Sequence, residues 1–248
     1  MRSIISFELL KSLQDRGLLF WMLLLPILFT VLFISVFTSG TEGVAREQVI
    51  LSIVPGYTVM FVFFIIITMI ANFIKDRELG MTARIASTPL PAYKYLLGKW
   101  IPYMYIVFVQ IIVLLLFGKL VYDIPLEQPL SLLIVSLLLT FTVTGIGLAL
   151  SLLVKTNNMG IAMTQVIALG GAVLSGLWMP IDMMPSFIQT LSKFLPQYWA
   201  HQALQQGMEG TMQISDILLP ASILFIYGFI AFTIAILRYP AFLKMARG

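Results

Sequence analysis

Residues 48–74, QVILSIVPGYTVMFVFFIIITMIANFI, decide the fold because these 27 positions contain no charged side chain. A helix that crosses the roughly 30 Å hydrocarbon core of a bilayer needs about 20 mostly apolar residues. At a rise of about 1.5 Å per residue, this run is long enough to cross the core. It therefore predicts a membrane-spanning helix.

Five more uncharged runs have the same character. They are residues 17–41, 100–118, 128–154, 156–181 and 217–237. Over the whole chain 60% of the residues are hydrophobic and 10% are charged, whereas soluble domains are about half apolar and a quarter charged. The sequence predicts an all-α polytopic membrane protein with six transmembrane helices. The first run is too long for a signal-peptide core and lacks an Ala-x-Ala-like cleavage site, so we expect it to be a permanent span.

The distribution of charge predicts the orientation in the membrane. If the amino terminus is cytoplasmic, 12 of the 15 Lys and Arg residues and four of the 11 acidic residues are cytoplasmic too. The net charges are then +8 inside and −4 outside, which fits the excess of Lys and Arg in cytoplasmic loops. We expect a protein of the inner (cytoplasmic) cell membrane with both termini in the cytoplasm. Because the basic residues flank spans, they indicate a lipid bilayer as the surroundings and no nucleic acid as a partner.

Residues 1–16 precede the first span. On a helix, Ile5, Phe7, Leu9, Leu10 and Leu13 share an apolar arc, and Glu8, Lys11 and Asp15 share the opposite one. This pattern favours an interfacial helix at the membrane surface. A plain charged leader is the alternative.

The cytoplasmic link at residues 75–99, KDRELGMTARIASTPLPAYKYLLGK, is long, whereas the other is little more than Lys155–Asn158. Residues 78–86 are compatible with a short helix. Ser87 or Thr88 is a candidate N-cap for the next helix, with Pro89 at its first position. The length of this loop predicts a function beyond connecting two spans.

An outer segment at residues 179–210 follows the fifth run. Pro180, Pro185 and Pro196 divide it into short pieces. It predicts short extracellular amphipathic helices that lie at or dip into the outer leaflet, with Trp178, Tyr198 and Trp199 at headgroup depth. In spans four and five, many Gly and Ala residues predict close helix packing.

Several motifs and residue types that form catalytic, nucleotide-binding or metal sites are absent from the sequence. It has no Gly-x-x-x-x-Gly-Lys-Ser/Thr phosphate loop, no Gly-x-Ser-x-Gly elbow, no cysteine and only one histidine, His201. We therefore expect no catalytic residue, no metal site and no cofactor bound by this chain, and we expect His201 to be a polar residue of the outer helix. The uncharged runs also disfavour ion-coupled transport, which usually places charges inside spans.

The runs do contain polar residues. These are Thr68, Asn72, Gln110, Thr140, Thr142, Thr144, Thr164 and Gln165. We expect most of them to make interhelical hydrogen bonds.

Two loops carry a resemblance to a known family. The first is Lys75-Asp-Arg-Glu-Leu-Gly80 with Arg84, Thr88-Pro89-Leu90 and Tyr95-Leu-Leu-Gly-Lys99; the second is Ser175-Gly-Leu-Trp-Met-Pro180 with Met184-Pro185 and Leu195-Pro196. They resemble the charged turn, the "T-P" and "G-K" elements and the proline-rich outer element of ABC-2 type transporter permeases, which include drug and antibiotic resistance permeases. Asp76 and Met81 depart from the usual Glu and Thr.

The resemblance implies the membrane subunit of an ATP-binding-cassette exporter. Such a subunit moves hydrophobic or amphipathic compounds outward by alternating access. It works as a dimer with a second copy or a related permease, on cytoplasmic ATPase subunits that bind ATP and Mg. A cytoplasmic coupling helix maps onto about residues 78–88.

The resemblance also implies two sets of site residues. The residues that couple to the ATPase are Arg77, Glu78, Gly80, Arg84, Thr88 and Pro89. The substrate path, by analogy, is lined by Phe61, Phe64, Thr68, Gln165, Leu169 and Val173. A secondary transporter or channel, and a sensor or scaffold that transports nothing, remain the alternatives.

Overall fold

The computed structural model describes residues 2–40, 43–88, 90–178 and 181–247, and over these ranges the protein is helical without any strand. Six helices in this part of the chain are long and apolar enough to cross a membrane. They are Arg16–Phe37, Arg46–Glu78, Tyr93–Tyr122, Pro129–Leu153, Asn157–Leu174 and Ser215–Lys244, here called spans one to six. The predicted all-α fold with six spans is confirmed.

The first four spans follow a short leading helix, α1 (Arg2–Gln14). Span one contains α2 (Arg16–Leu19), a π-helical segment (Phe20–Leu24) and α3 (Leu25–Phe37). Span two lies in α4 (Val44–Val62) and α5 (Ile65–Glu78), and it is followed by the short α6 (Met81–Ala86). Spans three and four are α7 (Ala92–Tyr122) and α8 (Pro129–Leu153).

The last two spans are separated by short helices. Span five contains α9 (Asn157–Gln165), a π-helical segment (Val166–Gly170) and α10 (Gly171–Leu174). A 3-10 turn (Ile181–Met183), α11 (Ser186–Ser192) and α12 (Pro196–Glu209) come next. Span six lies in α13 (Ile214–Arg247).

Span two is the central helix of the bundle. Its most apolar window is 83% buried, whereas the corresponding windows of spans one, five and six are at most 28% buried. Span four is also largely enclosed, because α8 packs against α5, α7, α12 and α13. Spans one, five and six therefore leave wide apolar surfaces uncovered within this chain.

The bundle has two distinct ends. We call the end that carries α1, α6 and residues 154–156 the loop end; there the Arg77 guanidinium donates to the Lys155 carbonyl at 2.7 Å. We call the other end, with α11 and α12, the opposite end. Here α12 packs against α4, α8 and α13, so it is held by three spans.

Small residues bring spans four and six together. A Cβ atom added at Gly145 would lie 3.0 Å from the Gly228 carbonyl oxygen, and one added at Gly228 would lie 2.3 Å from Phe141 Cδ1. At the same contact, the Thr142 hydroxyl donates to the Leu224 carbonyl at 2.7 Å. The predicted close packing is confirmed here. Gly170 is different, since a Cβ atom there would meet no other atom within 4 Å.

The predicted start of span three is wrong. Ser87 Oγ donates to the Arg84 carbonyl at 2.8 Å and Thr88 Oγ1 to the Ile85 carbonyl at 2.6 Å, so both hydroxyls bond the end of α6. α7 begins at Ala92 after Pro91, and no side chain caps it. Pro89 lies outside the described residues. Hydroxyls bond the nearest free carbonyls, and those belong to the preceding helix.

The short helix in this loop also differs from its expected bounds. α5 continues to Glu78, and α6 begins only at Met81. Between them Gly80 adopts φ +69°, a left-handed conformation that favours glycine. Glu78 is therefore the last residue of the span-two helix, and the turn at Gly80 sets the direction of α6.

Candidate functional site

A lateral groove of about 460 Å³ lies between spans one, two and five. Its lining is mostly apolar and includes Leu18, Trp21, Phe64, Ile67 and Ile161, with Asp15, Thr68 and Gln165 as its polar side chains. Three of the six residues predicted for the substrate path, Phe64, Thr68 and Gln165, thus meet in one groove. Leu169 and Val173 are not part of its lining; Leu169 packs against the core and Val173 is exposed.

The three spans that form the groove all depart from regular α-helix near it. Spans one and five each contain a π-helical segment, which includes Trp21 in span one and directly follows Gln165 in span five. Span two is interrupted at Phe63 and Phe64, where the amides of Phe63, Phe64 and Ile66 bond the carbonyl three residues earlier. Neither Pro nor Gly stands at this break. Such irregularities often mark functional sites and hinges in helices.

An aromatic column extends from the groove along spans one and two. It consists of Phe29, Phe33, Phe37, Tyr57, Phe61 and Phe64. Ring centroids are 5.8 Å apart between Phe61 and Phe64, 5.6 Å between Phe29 and Phe61, and 5.1 Å between Phe33 and Tyr57. These are favourable separations for aromatic pairs. Phe61 and Phe64 belong to the predicted substrate path. Tyr57, Phe29, Phe33 and Phe37 do not, although the last three repeat at a spacing of four.

A buried charge cluster joins three helices at the loop end. The Lys99 ammonium of α7 donates to Glu8 Oε1 of α1 at 2.7 Å and also pairs with Asp76 of α5. The side chains of Lys99, Glu8 and Asp76 are 2%, 4% and 9% exposed. Removing one member of such a buried group leaves an uncompensated charge, which is strongly destabilising. The cluster therefore fixes α1, α5 and α7 to one another.

The sequence alone does not reveal this cluster. Glu8 belongs to the predicted polar arc of α1, and Asp76 and Lys99 belong to the charges that flank spans. In the structure Glu8 and Ser12 are buried, whereas Phe7, Leu10 and Leu13 are exposed. Glu8 is buried because it pairs with the buried ammonium group of Lys99, which lies inside the long helix α7.

The polar residues of the spans mostly do not join different helices. Asn72 Nδ2 donates to the Tyr103 hydroxyl at 2.7 Å, and Thr142 bonds span six as described above. Thr144 and Thr164, however, donate to carbonyls of their own helices. Gln110 is buried, and its amide has no partner within the described residues. The expectation that most of these residues make interhelical bonds is wrong, because a hydroxyl in a helix readily bonds the carbonyl four residues earlier.

Five of the six predicted coupling residues lie between the end of α5 and the residues that follow α6, and the sixth, Pro89, lies outside the described residues. Glu78, Arg84 and Thr88 are exposed, and Leu79 is 59% exposed next to them. Met81, the first residue of α6, is also exposed. We call Glu78, Leu79, Met81 and Arg84 the loop-end surface. Arg77 is engaged elsewhere, since it holds the Lys155 carbonyl.

His201 holds α12 to span two. Its Nε2 lies 3.0 Å from the Ser52 carbonyl oxygen, which can only accept, so Nε2 carries the proton. Burial lowers the pKa of His201 below its usual value, and the ring is therefore neutral at neutral pH. It makes a structural contact between α12 and α4.

Comparison with known proteins identifies the family. The model of the ABC-2 family transporter proteins matches residues 45–237, from the start of span two into span six. The chain belongs to this family. It is thus a multi-pass membrane protein of the ABC-2 permease family, as its loop motifs indicated.

Three relatives are named as permeases. The chain is 26% identical to the linearmycin resistance permease protein LnrN of Bacillus subtilis over 71% of its own length and 46% of that protein. It is 31% identical to the putative transport permease YvfS of B. subtilis over 77% of its length and 78% of that protein. It is 26% identical to the probable multidrug ABC transporter permease YbhR of Escherichia coli over 49% of its length and 33% of that protein. The chain thus spans less than half of the first and the third of these relatives.

Proposed function

We propose that this chain is the permease subunit of an ATP-driven exporter that moves hydrophobic or amphipathic compounds out across the cell membrane. The lateral groove is the observation that carries this proposal, since it is apolar, opens between spans and is bordered by three irregular helices. An amphipathic molecule can enter such a groove from the bilayer. Two relatives named for linearmycin resistance and for probable multidrug transport support the same class of cargo.

The energy comes from a separate ATPase subunit that binds ATP and Mg. The loop-end surface is its docking site, because it places exposed apolar side chains, Leu79 and Met81, between the charges of Glu78 and Arg84. Apolar anchors within a charged rim are typical of protein interfaces. This chain forms the substrate path, and the partner subunit hydrolyses ATP.

The helices around the docking site offer a route for coupling. A displacement of α6 is passed through the turn at Gly80 to α5, and the charge cluster passes it on to α1 and α7. The break at Phe63 and Phe64 lets α5 tilt against α4. Phe64 and Thr68 line the groove, so movement of α5 changes its shape. This change of shape is the step of alternating access in the proposal.

The transporter contains two such membrane subunits, either two copies or this chain with a related permease. Spans one, five and six leave most of their apolar surface uncovered, and lipid and a second subunit share it. The loop end with both termini faces the cytoplasm, in accord with the charge distribution.

The proposal is tested by transport in inside-out vesicles that contain the permease and an ABC ATPase subunit that co-purifies with it. ATP should drive accumulation of amphipathic fluorescent dyes. Replacing the phosphate-loop lysine of the ATPase should abolish this accumulation. Phe64→Trp, which fills the groove, should reduce accumulation severalfold. Phe187→Trp, at an exposed position of α11, is the matched control and should have no effect. Flux that follows a proton gradient without ATP would contradict the proposal and favour a secondary transporter.

A further inference from the structure

A second cavity, of about 470 Å³, lies at the opposite end of the bundle, between α4, the segment after α10, and α12. Its lining differs from that of the groove because it is dominated by amides, hydroxyls and carboxylates. We call it the polar cavity. Four glutamines of α4 and α12 contribute to it, Gln48, Gln202, Gln205 and Gln206.

The polar cavity contains unused and preorganised hydrogen-bonding groups. Ser175 is almost completely buried in its wall, and its hydroxyl has no partner within the described residues. Gln205 Nε2 donates to Glu209 Oε1 at 3.0 Å and so orients that carboxylate along α12. A buried hydroxyl without a partner costs free energy, and a ligand that bonds it removes this cost.

The charges of the polar cavity select against anions. Asp182 and Glu209 supply two carboxylates, and no Lys or Arg belongs to the described lining. Burial and the nearby charge of Asp182 raise the pKa of Tyr198, which lines the same wall, so its phenol stays protonated and can donate. The remaining polar side chains are the neutral His201 ring and the amides and hydroxyls, and each amide or hydroxyl can both donate and accept.

Hydroxyl groups of a ligand match this lining best. Each hydroxyl both donates and accepts, so it can bond an amide and a carboxylate at once. We propose that the polar cavity binds a hydroxyl-rich, uncharged head group, such as a polyol or sugar. The assignment of this group to the exported compound rests on the proposed function, but the binding itself does not.

The two cavities lie along the same span. Ser52 lines the polar cavity and Phe64 lines the groove, which places them about 18 Å apart along span two at 1.5 Å per residue. An amphipathic cargo therefore meets an apolar site toward the loop end and a hydroxyl-binding site toward the opposite end. Its polar head is received where it leaves the membrane.

The test measures binding of radiolabelled octyl glucoside to the full chain in lipid nanodiscs, with empty nanodiscs subtracted and with no ATPase present. Saturable binding is expected, and octyl sulfate and octyltrimethylammonium should compete at least about tenfold less well than unlabelled octyl glucoside. Gln48→Leu with Gln202→Leu should weaken binding about tenfold or more, since two amides are lost. Gln213→Leu, exposed and outside the cavity, is the matched control.

A second variant covers the case in which the double variant does not fold. Ser175→Ala removes one hydroxyl with little change of volume and should weaken binding severalfold. Absence of saturable binding, equal competition by all three head groups, or tighter binding of the cationic one would overturn the inference. Failure of ATP-dependent export with glucoside binding intact would contradict the proposed function alone.

Discussion

The Lys99 ammonium lies 2.7 Å from Glu8 Oε1, although 91 positions separate the two residues in the chain. Asp76 completes the contact from a third helix. The leading helix α1 is therefore attached to α5, which runs into the loop end, and to α7, which leaves it. The charge cluster thus attaches the leading helix α1 to the bundle.

Lys99→Met should destabilise the protein by about 3–5 kcal/mol, because Glu8 and Asp76 remain buried as unpaired carboxylates. The measurement is thermal unfolding of the purified protein in one detergent. Lys119→Met, at an exposed position of the same helix, should leave the melting temperature unchanged. Adding Glu8→Gln and Asp76→Asn to Lys99→Met should restore much of the loss; an unaltered melting temperature in Lys99→Met itself would show that the cluster contributes nothing.

Gly228→Ala should lower the melting temperature because the added methyl group would lie 2.3 Å from Phe141 Cδ1 and 3.2 Å from Thr142 Cα. Phe141 has little room to move, since its ring stacks on Phe225 with centroids 5.8 Å apart. Overpacking of this kind costs about 1–3 kcal/mol. Gly170→Ala is the matched control, as its methyl group meets open space. Equal melting temperatures in the two variants would argue against close contact between spans four and six.

His201 should make the stability fall as the pH is lowered. Its folded-state pKa lies below the usual 6.5, because burial disfavours the charged ring. Below about pH 6.5 the unfolded state binds a proton that the folded state does not, and stability falls by up to about 1.4 kcal/mol per pH unit until the folded pKa is reached. Melting temperatures at pH 8 and pH 5 should therefore differ more for the wild type than for His201→Gln. The same difference in both proteins would rule out this role for His201.

Single cysteines test the orientation cleanly, because the chain contains none. Cysteines in place of the exposed residues Arg84 and Lys244 at the loop end should be shielded from a membrane-impermeant thiol reagent in intact cells. A cysteine at Gln213, exposed at the other end of the bundle, should react. All three should react in opened cells. Labelling of Arg84→Cys in sealed cells would mean that the loop end faces outward.

The spans were predictable because charged side chains are costly in hydrocarbon, and the spans therefore contain long uncharged runs. Residues 48–74 lie within span two, and each of the other uncharged runs overlaps one of the remaining spans. Contacts between distant residues were not predictable in the same way. From the sequence alone, Glu8 is expected to be a solvated charge. Its burial is explained only by its contact with Lys99 in the folded structure.

The candidate site was predictable in part for a similar reason. The family resemblance brought together Phe64, Thr68 and Gln165, which do share a groove. The same analogy also included Leu169 and Val173, which do not line the groove. The π-helical segment at Val166–Gly170 lies between Gln165 and Val173 and interrupts the regular helical spacing there. The polar cavity was missed because its amides come from two helices whose contact depends on the packing of α12.

The most direct test of the account is export by the double variant Glu78→Ala with Arg84→Ala, measured with membrane abundance and recovery of the ATPase in a pull-down. Both charges are exposed on the loop-end surface, so their removal should leave the fold intact. Loss of a charged contact in an interface costs about 2–5 kcal/mol, more than tenfold in affinity. Glu127→Ala with Lys193→Ala removes an exposed acid and an exposed base elsewhere and serves as the control. We predict normal abundance with export abolished, by loss of the ATPase or by its uncoupling, and normal export by the control; normal export by the Glu78 and Arg84 variant at normal abundance would contradict the account.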